Sequence, residues 1–284
     1  PFLSRIVVDM TRSGMGLAGL DIPPLDDLVR EVVIEEGRVP LSVNWPDGAG
    51  LLAGVLQARS SLDPKLSARI YCELAEAQRR DPQSDFAVQV RRAFPMTSAG
   101  AATPESNGAA FTALAMAIVD RKVGTVAGVA ASDIEACPMP PSRITLHGRE
   151  DLAKHWALSA ALAVGSGTQF AQAMGEWKEL ADSLSKRSEF QPGDPTGFSL
   201  VDIAADRSGF RTADAASDPG SSSAMARRLS GATADAILPP SLLSLEEGPG
   251  VDFVGRYGSL DDPRFAGVVK EVDVVLDRQG LVLP

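Results

Sequence analysis

Apolar residues recur at three- and four-residue spacing along much of the chain, the period of helices with one buried face. From Pro64 onward Leu66, Ile70 and Leu74 share a face, and the run ends near Arg80, before Asp81-Pro82. Phe111, Leu114, Ala115 and Ile118 mark a second helix that stops at Gly124. Phe265, Val268, Val272 and Leu276 mark a third, stopping at Gly280 in a left-handed cap position. Each opens in the same way: Asp63-Pro64, Thr103-Pro104 and Asp262-Pro263 put an N-cap acceptor before a proline whose missing N–H costs nothing there. Further helices are predicted over Leu25 to Glu36 (closed by Gly37, with Leu28, Val29 and Val32 inward), Gly48 to Arg59 and Asp85 to Phe94.

Alternating patterns are scarce. Ile6–Val8 and Val39–Val43 are the only short strand signals, and no strand–helix–strand rhythm follows them. The predicted fold is mainly α and helical bundle-like, with few short strands near the N-terminus. Breaks fall at Ser98–Ala102 and at Cys137–Pro141, where Pro138, Pro140 and Pro141 cluster. They divide the chain into an N-terminal helical region, 1–128, and a C-terminal helical domain, 141–284. The small and polar run Asp214–Ser223 reads as a flexible loop.

Composition narrows the function classes. With 284 residues, 44% hydrophobic and 23% charged, the chain can bury a sizeable core. A net charge of −10 argues against a nucleic-acid binder, which needs a basic surface. The most apolar stretch, Trp156–Met174, carries Gln169 and Gln172 and is too short and polar to span a bilayer. Cys72 and Cys137 are the only cysteines, free and buried or paired with each other, and too few for a four-thiolate zinc site.

Two short motifs lack their context. Gly14, Gly16 and Gly19 match the dinucleotide fingerprint, but Pro23-Pro24 would cut off the helix that must hold the pyrophosphate. Ser183 and Lys186 match SxxK without its partner motifs.

Chemistry concentrates between 145 and 210. Both histidines lie there, in the stretch His147-Gly-Arg-Glu-Asp-Leu-Ala-Lys-His155-Trp156. Asp151 and His155 are four apart and share a helical face, within hydrogen-bonding reach. Glu176, Glu179 and Asp182 stack along a later stripe at three-residue spacing, with Lys178 placed to pair with Asp182. Ser199 and Asp202 form a capping-box-like pair opening another helix, and Asp206 lies one turn further on. His147, in a loop, is the weaker candidate of the two histidines.

These blocks resemble an uncharacterised bacterial protein family sharing HGRxDLAxHF, KELxDS and GFSFxDLAADRAG. Asn107–Leu114 and Arg256-Tyr-Gly258 also look similar, so the resemblance extends over roughly 83 to 280. The order of blocks is similar to short envelope lipoproteins of unknown function and, more distantly, to VanZ-like membrane proteins. Trp156 stands where the family has Phe, and Lys186–Asp194 is an insertion before the third block. The resemblance implies no activity. It implies that His155, Lys178, Glu179, Asp182, Asp202 and Asp206 belong together, and, with the chain starting at Pro1 rather than a methionine, a periplasmic or envelope-associated location.

Two readings follow from the cluster. In the first, the protein has a structural or binding role, with a protein partner, and the charged residues form a dry, mutually paired network. In the second it is a metal-dependent hydrolase: His155, Glu179 and Asp206 hold a divalent metal as cofactor, and Glu176 is the general base.

Overall fold

A computed structural model describes residues 62–96, 102–166, 198–248, 250–258, 260 and 262–282. The chain divides after Ala58, and every described residue belongs to the second unit. The elements predicted upstream, at Ile6–Val8, 14–19, Leu25–Glu36, Val39–Val43 and Gly48–Arg59, lie outside the described residues, as do Ser183 and Lys186. Among the described residues the fold is mainly α, with eleven α-helices and one two-stranded sheet. The strands of the described sheet lie far from the N-terminus: β1 (Phe198–Ser199) pairs antiparallel with β2 (Glu247–Gly248).

The punctuated helices form where their caps place them. α1 (Pro64–Arg80) opens on Asp63, whose carboxylate accepts from the Lys65 and Leu66 amides at 3.0 Å. α2 (Phe86–Ala93) opens on Asp85. α3 (Pro104–Ile118) opens on a reciprocal capping box between Thr103 and Ser106. α4 (Lys122–Val126) and α5 (Ala131–Glu135) are short turns leading to the proline cluster. α6 (Glu150–Ser166) carries His155, and α7 (Leu200–Ser217), capped by Ser199, carries Asp202 and Asp206. After α7 come α8 (Ser222–Leu229), α9 (Ala234–Ile237), a 3-10 turn (Pro240–Ser244), α10 (Phe253–Tyr257) and α11 (Pro263–Gln279).

Three expectations need correction. The helix expected to stop at Gly124 ends at Ile118, and Gly124 lies inside α4. Asp214–Ser223 is not a loop: α7 continues to Ser217 and α8 starts at Ser222, because Ala213 and Ala216 are buried against the core. Gly280 is not left-handed: its φ is −81°. A Cβ there would lie 2.6 Å from the Leu276 carbonyl oxygen, which accounts for glycine without positive φ.

The core is contiguous. α6 on α7 is the most extensive helix contact, and α3 packs on α1, α6 and α7, so the two regions drawn from the sequence meet where α3 lies on α6 and α7. Trp156, fully buried, stacks with Phe86 and Phe111 at ring distances of 5.4 and 5.9 Å. A smaller aromatic cluster of Phe198, Phe253, Tyr257 and Phe265 lies where β1, α10 and α11 meet. Buried Asn107 donates to the carbonyls of Ala216 and Ser222, satisfying polar groups at the α7–α8 junction. Arg207 pairs bidentately with Asp273, tying α7 to α11.

Candidate functional site

The α6–α7 contact is close because one residue has no side chain. A Cβ on Gly209 would stand 2.3 Å from the Trp156 carbonyl oxygen. With the backbones that near, the short polar side chains on the facing stripes must meet. On α6 the stripe is Asp151, His155 and Ser159; on α7 it is Asp202 and Asp206.

His155 sits between the two α7 carboxylates. Its Nδ1 lies 3.1 Å from both Asp206 oxygens, and its Nε2 lies 3.5 Å from Asp202 Oδ2. The three side chains are only 10%, 9% and 7% exposed for His155, Asp202 and Asp206. Ionised carboxylates only accept hydrogen bonds, so Nδ1 carries a proton. Nε2 faces the second carboxylate, that of Asp202, at the longer of the two distances. Ser159 donates to Asp206 Oδ1 at 2.6 Å.

Arg149 closes the outer end. Leu146 and Arg149 exchange both backbone hydrogen bonds across His147-Gly148, whose φ values of 51° and 79° make a two-residue hairpin turn. The turn aims the guanidinium at three carboxylates: Asp151 at 2.6 Å, Glu247 at 2.7 Å and Asp202 at 3.3 Å. Hydrogen bonding to Asp151 raises the Arg149 pKa, burial opposes this, and bonding to Glu247 adds to the rise. Ser199 joins the same group, donating to Glu247 while its oxygen caps the Asp202 amide. A chain of alternating polar and charged groups therefore runs from buried Ser159 through Asp206, His155, Asp202 and Arg149 to half-exposed Glu247 and Asp151.

The structure thus brings His155, Asp202, Asp206 and, through Arg149, Asp151 together. Glu176, Lys178, Glu179 and Asp182 lie outside the described residues. The direct Asp151–His155 hydrogen bond is not made, because the turn at His147 brings Arg149 onto the Asp151 carboxylate first. Asp202 does more than cap: its carboxylate serves Arg149 and His155. His147 is an anchor, its Nε2–H donating to the Leu238 carbonyl at 2.8 Å. The sequence reading missed Arg149, Ser159 and Glu247. Ser159 had a signal, being four residues beyond His155 on the same face; Glu247 had none.

Among the described residues no group of three or more His, Cys, Asp or Glu side chains is arranged to hold a metal ion. Nor, among them, is any helix long and apolar enough to cross a membrane. No family model, curated protein or solved structure matches the chain.

Proposed function

We propose that the protein is envelope-associated and acts through structure or binding, with the His155 cluster as an ion network that fixes the register of α6 on α7. The observation that carries this reading is His155 between Asp206 and Asp202, buried and within reach of both. Asp206 is engaged by His155 and Ser159, and Asp202 by His155 and Arg149, as a network that sets register requires. Two further features support it. A disulfide joins Cys72 to Cys137, as suits an oxidising compartment. The resemblance of the block order to short envelope lipoproteins is in keeping with this reading, and with the net charge of −10 it makes a protein partner the class of ligand to seek.

The test is elemental analysis of protein purified without chelator, with equilibrium unfolding, on the parent and His155→Ala. The expected outcome is no stoichiometric metal in either. His155→Ala should lose about 3 kcal/mol, because buried Asp206 loses the imidazole nitrogen that pairs with it. Stoichiometric metal in the parent, absent from the variant, would overturn this reading in favour of the metal-dependent hydrolase with His155, Glu179 and Asp206 as ligands and Glu176 as base.

A further inference from the structure

The segment from Val129 to Thr145 crosses α1 as a strap. Backbone hydrogen bonds hold its ends: the Val129 amide donates to the Gly124 carbonyl at 2.8 Å, and Thr145 bonds to Ser84 and Phe86 at 2.7 and 2.9 Å. Between them the strap is mostly exposed; Ser132, Asp133, Glu135, Ala136, Pro138, Ser142 and Arg143 all face solvent. Val129 and Ile144 are buried at its ends and Ile134 in its middle, with Cys137 and Met139 half-buried against the core.

The strap's chemistry explains why it needs a tether. Pro138, Pro140 and Pro141 have no backbone N–H, so this stretch cannot dock on α1 through a ladder of hydrogen bonds. What holds it is the Cys72–Cys137 bridge, with the burial of Ile134 and one polar contact beside it. The Arg79 guanidinium donates to the Pro138 carbonyl at 3.3 Å. Both cysteines are partly exposed, so an attacking thiolate can reach the bridge.

We propose that the Cys72–Cys137 bridge is a redox-sensitive latch, whose reduction releases the 130–143 strap from α1 and bares the Tyr71 side of that helix. The reductant is a dithiol. One thiolate attacks a bridge sulfur to form a mixed disulfide, and the second closes its own ring. Cys72 and Cys137 leave as two thiols, having gained two electrons and two protons, and the dithiol becomes a cyclic disulfide. The rest of the molecule stays folded, because the Thr145 end of the strap stays bonded to Ser84 and Phe86, and the only tie between 130–143 and α6 among the described residues is the exposed Arg143–Glu150 ion pair. Tyr71 supplies an optical reporter: burial pushes its phenol up, against the lowering influence of the nearby Met139 backbone and the Arg121 and Arg79 charges.

The test is peptide-resolved hydrogen exchange of the full chain with and without dithiothreitol, with thiols counted by alkylation and mass. On reduction two thiols should appear and exchange across 130–143 should accelerate by about tenfold or more, while 150–166 and 200–217 stay protected. Tyr71 should ionise nearer the ordinary value of about 10. Reoxidation should reverse all of this, and Cys72→Ser/Cys137→Ser should show the open pattern without reductant. Three results would overturn the proposal: two thiols with exchange in the strap unchanged, α6 and α7 opening together with the strap, or a bridge that resists dithiothreitol in the folded chain.

Discussion

At Asp151 two opposing effects act on one carboxyl. Burial pushes its pKa up, but the hydrogen bond and charge of Arg149, the Leu152 amide and the nearby His155 together outweigh this and hold it below the ordinary value. A carboxyl depressed in the folded state stabilises the fold above its unfolded pKa of about 3.9, and loses that contribution as pH falls through the lower folded value. Asp151→Asn should therefore cost stability at pH 7, modestly, since the side chain is nearly half exposed. The gap between parent and variant should close as pH drops below about 4. Urea unfolding of both proteins at pH 7 and pH 3 measures it, and a gap that widens toward acid would refute the assignment. Asp151 also shows how a residue can be found and its partner missed. The spacing to His155 was legible because it lies within one helix. The competing Arg149 lies in a turn whose geometry depends on two consecutive left-handed residues, His147 and Gly148, and a non-glycine residue at positive φ leaves no clear trace in sequence.

At the scale of elements, the α6–α7 interface rests on Gly209. Its missing Cβ lets the Trp156 carbonyl approach, and the obstructing atom is backbone, which cannot rotate aside. Gly209→Ala must push the helices apart, lengthening the His155–Asp206 contact at the same time. The expected cost is about 3 kcal/mol despite the gain in helix propensity, with the ring nitrogens of His155 changing environment in the nitrogen-15 spectrum. An alanine variant as stable as the parent would mean that α6 slides without strain and the register is not fixed here. The helices themselves were readable for local reasons: Asp63-Pro64, Thr103-Pro104 and Asp262-Pro263 satisfy their own first turns, so no distant residue is needed to place them. The run at 214–223 was misread because its small residues are uninformative alone. Ala213 and Ala216 are helical because α3 covers them, and Asn107, which closes that junction, is more than a hundred positions away. Pairings such as Arg149 with Glu247, or Arg207 with Asp273, join elements that only the tertiary fold brings together.

For the molecule as a whole, the Cys72–Cys137 bridge is the longest covalent constraint, with a sequence separation of 65 residues. Between its ends lie α2, α3, α4 and α5, including Phe86, Phe94 and Phe111 of the main aromatic stack, so the closed loop contains a large share of one core. By loop-closure entropy, cross-linking that span removes freedom from the unfolded chain worth about 4 kcal/mol. In a body of this size the double variant Cys72→Ser/Cys137→Ser should melt roughly 10 °C lower than the oxidised parent. Because the contribution resides in the unfolded state, the native helical signal in circular dichroism at 25 °C should be nearly unchanged and the transition should remain a single step. The two consequences of the bridge then separate cleanly: its entropy sets the midpoint of global unfolding, while its position on α1 sets the local exchange of the strap. A variant with an unchanged midpoint would mean that the reduced, unfolded chain is already held compact over 72–137. A variant that melts in two steps would mean instead that the residues inside the loop form a cooperative unit of their own, which the shared packing of α3 on α1, α6 and α7 argues against.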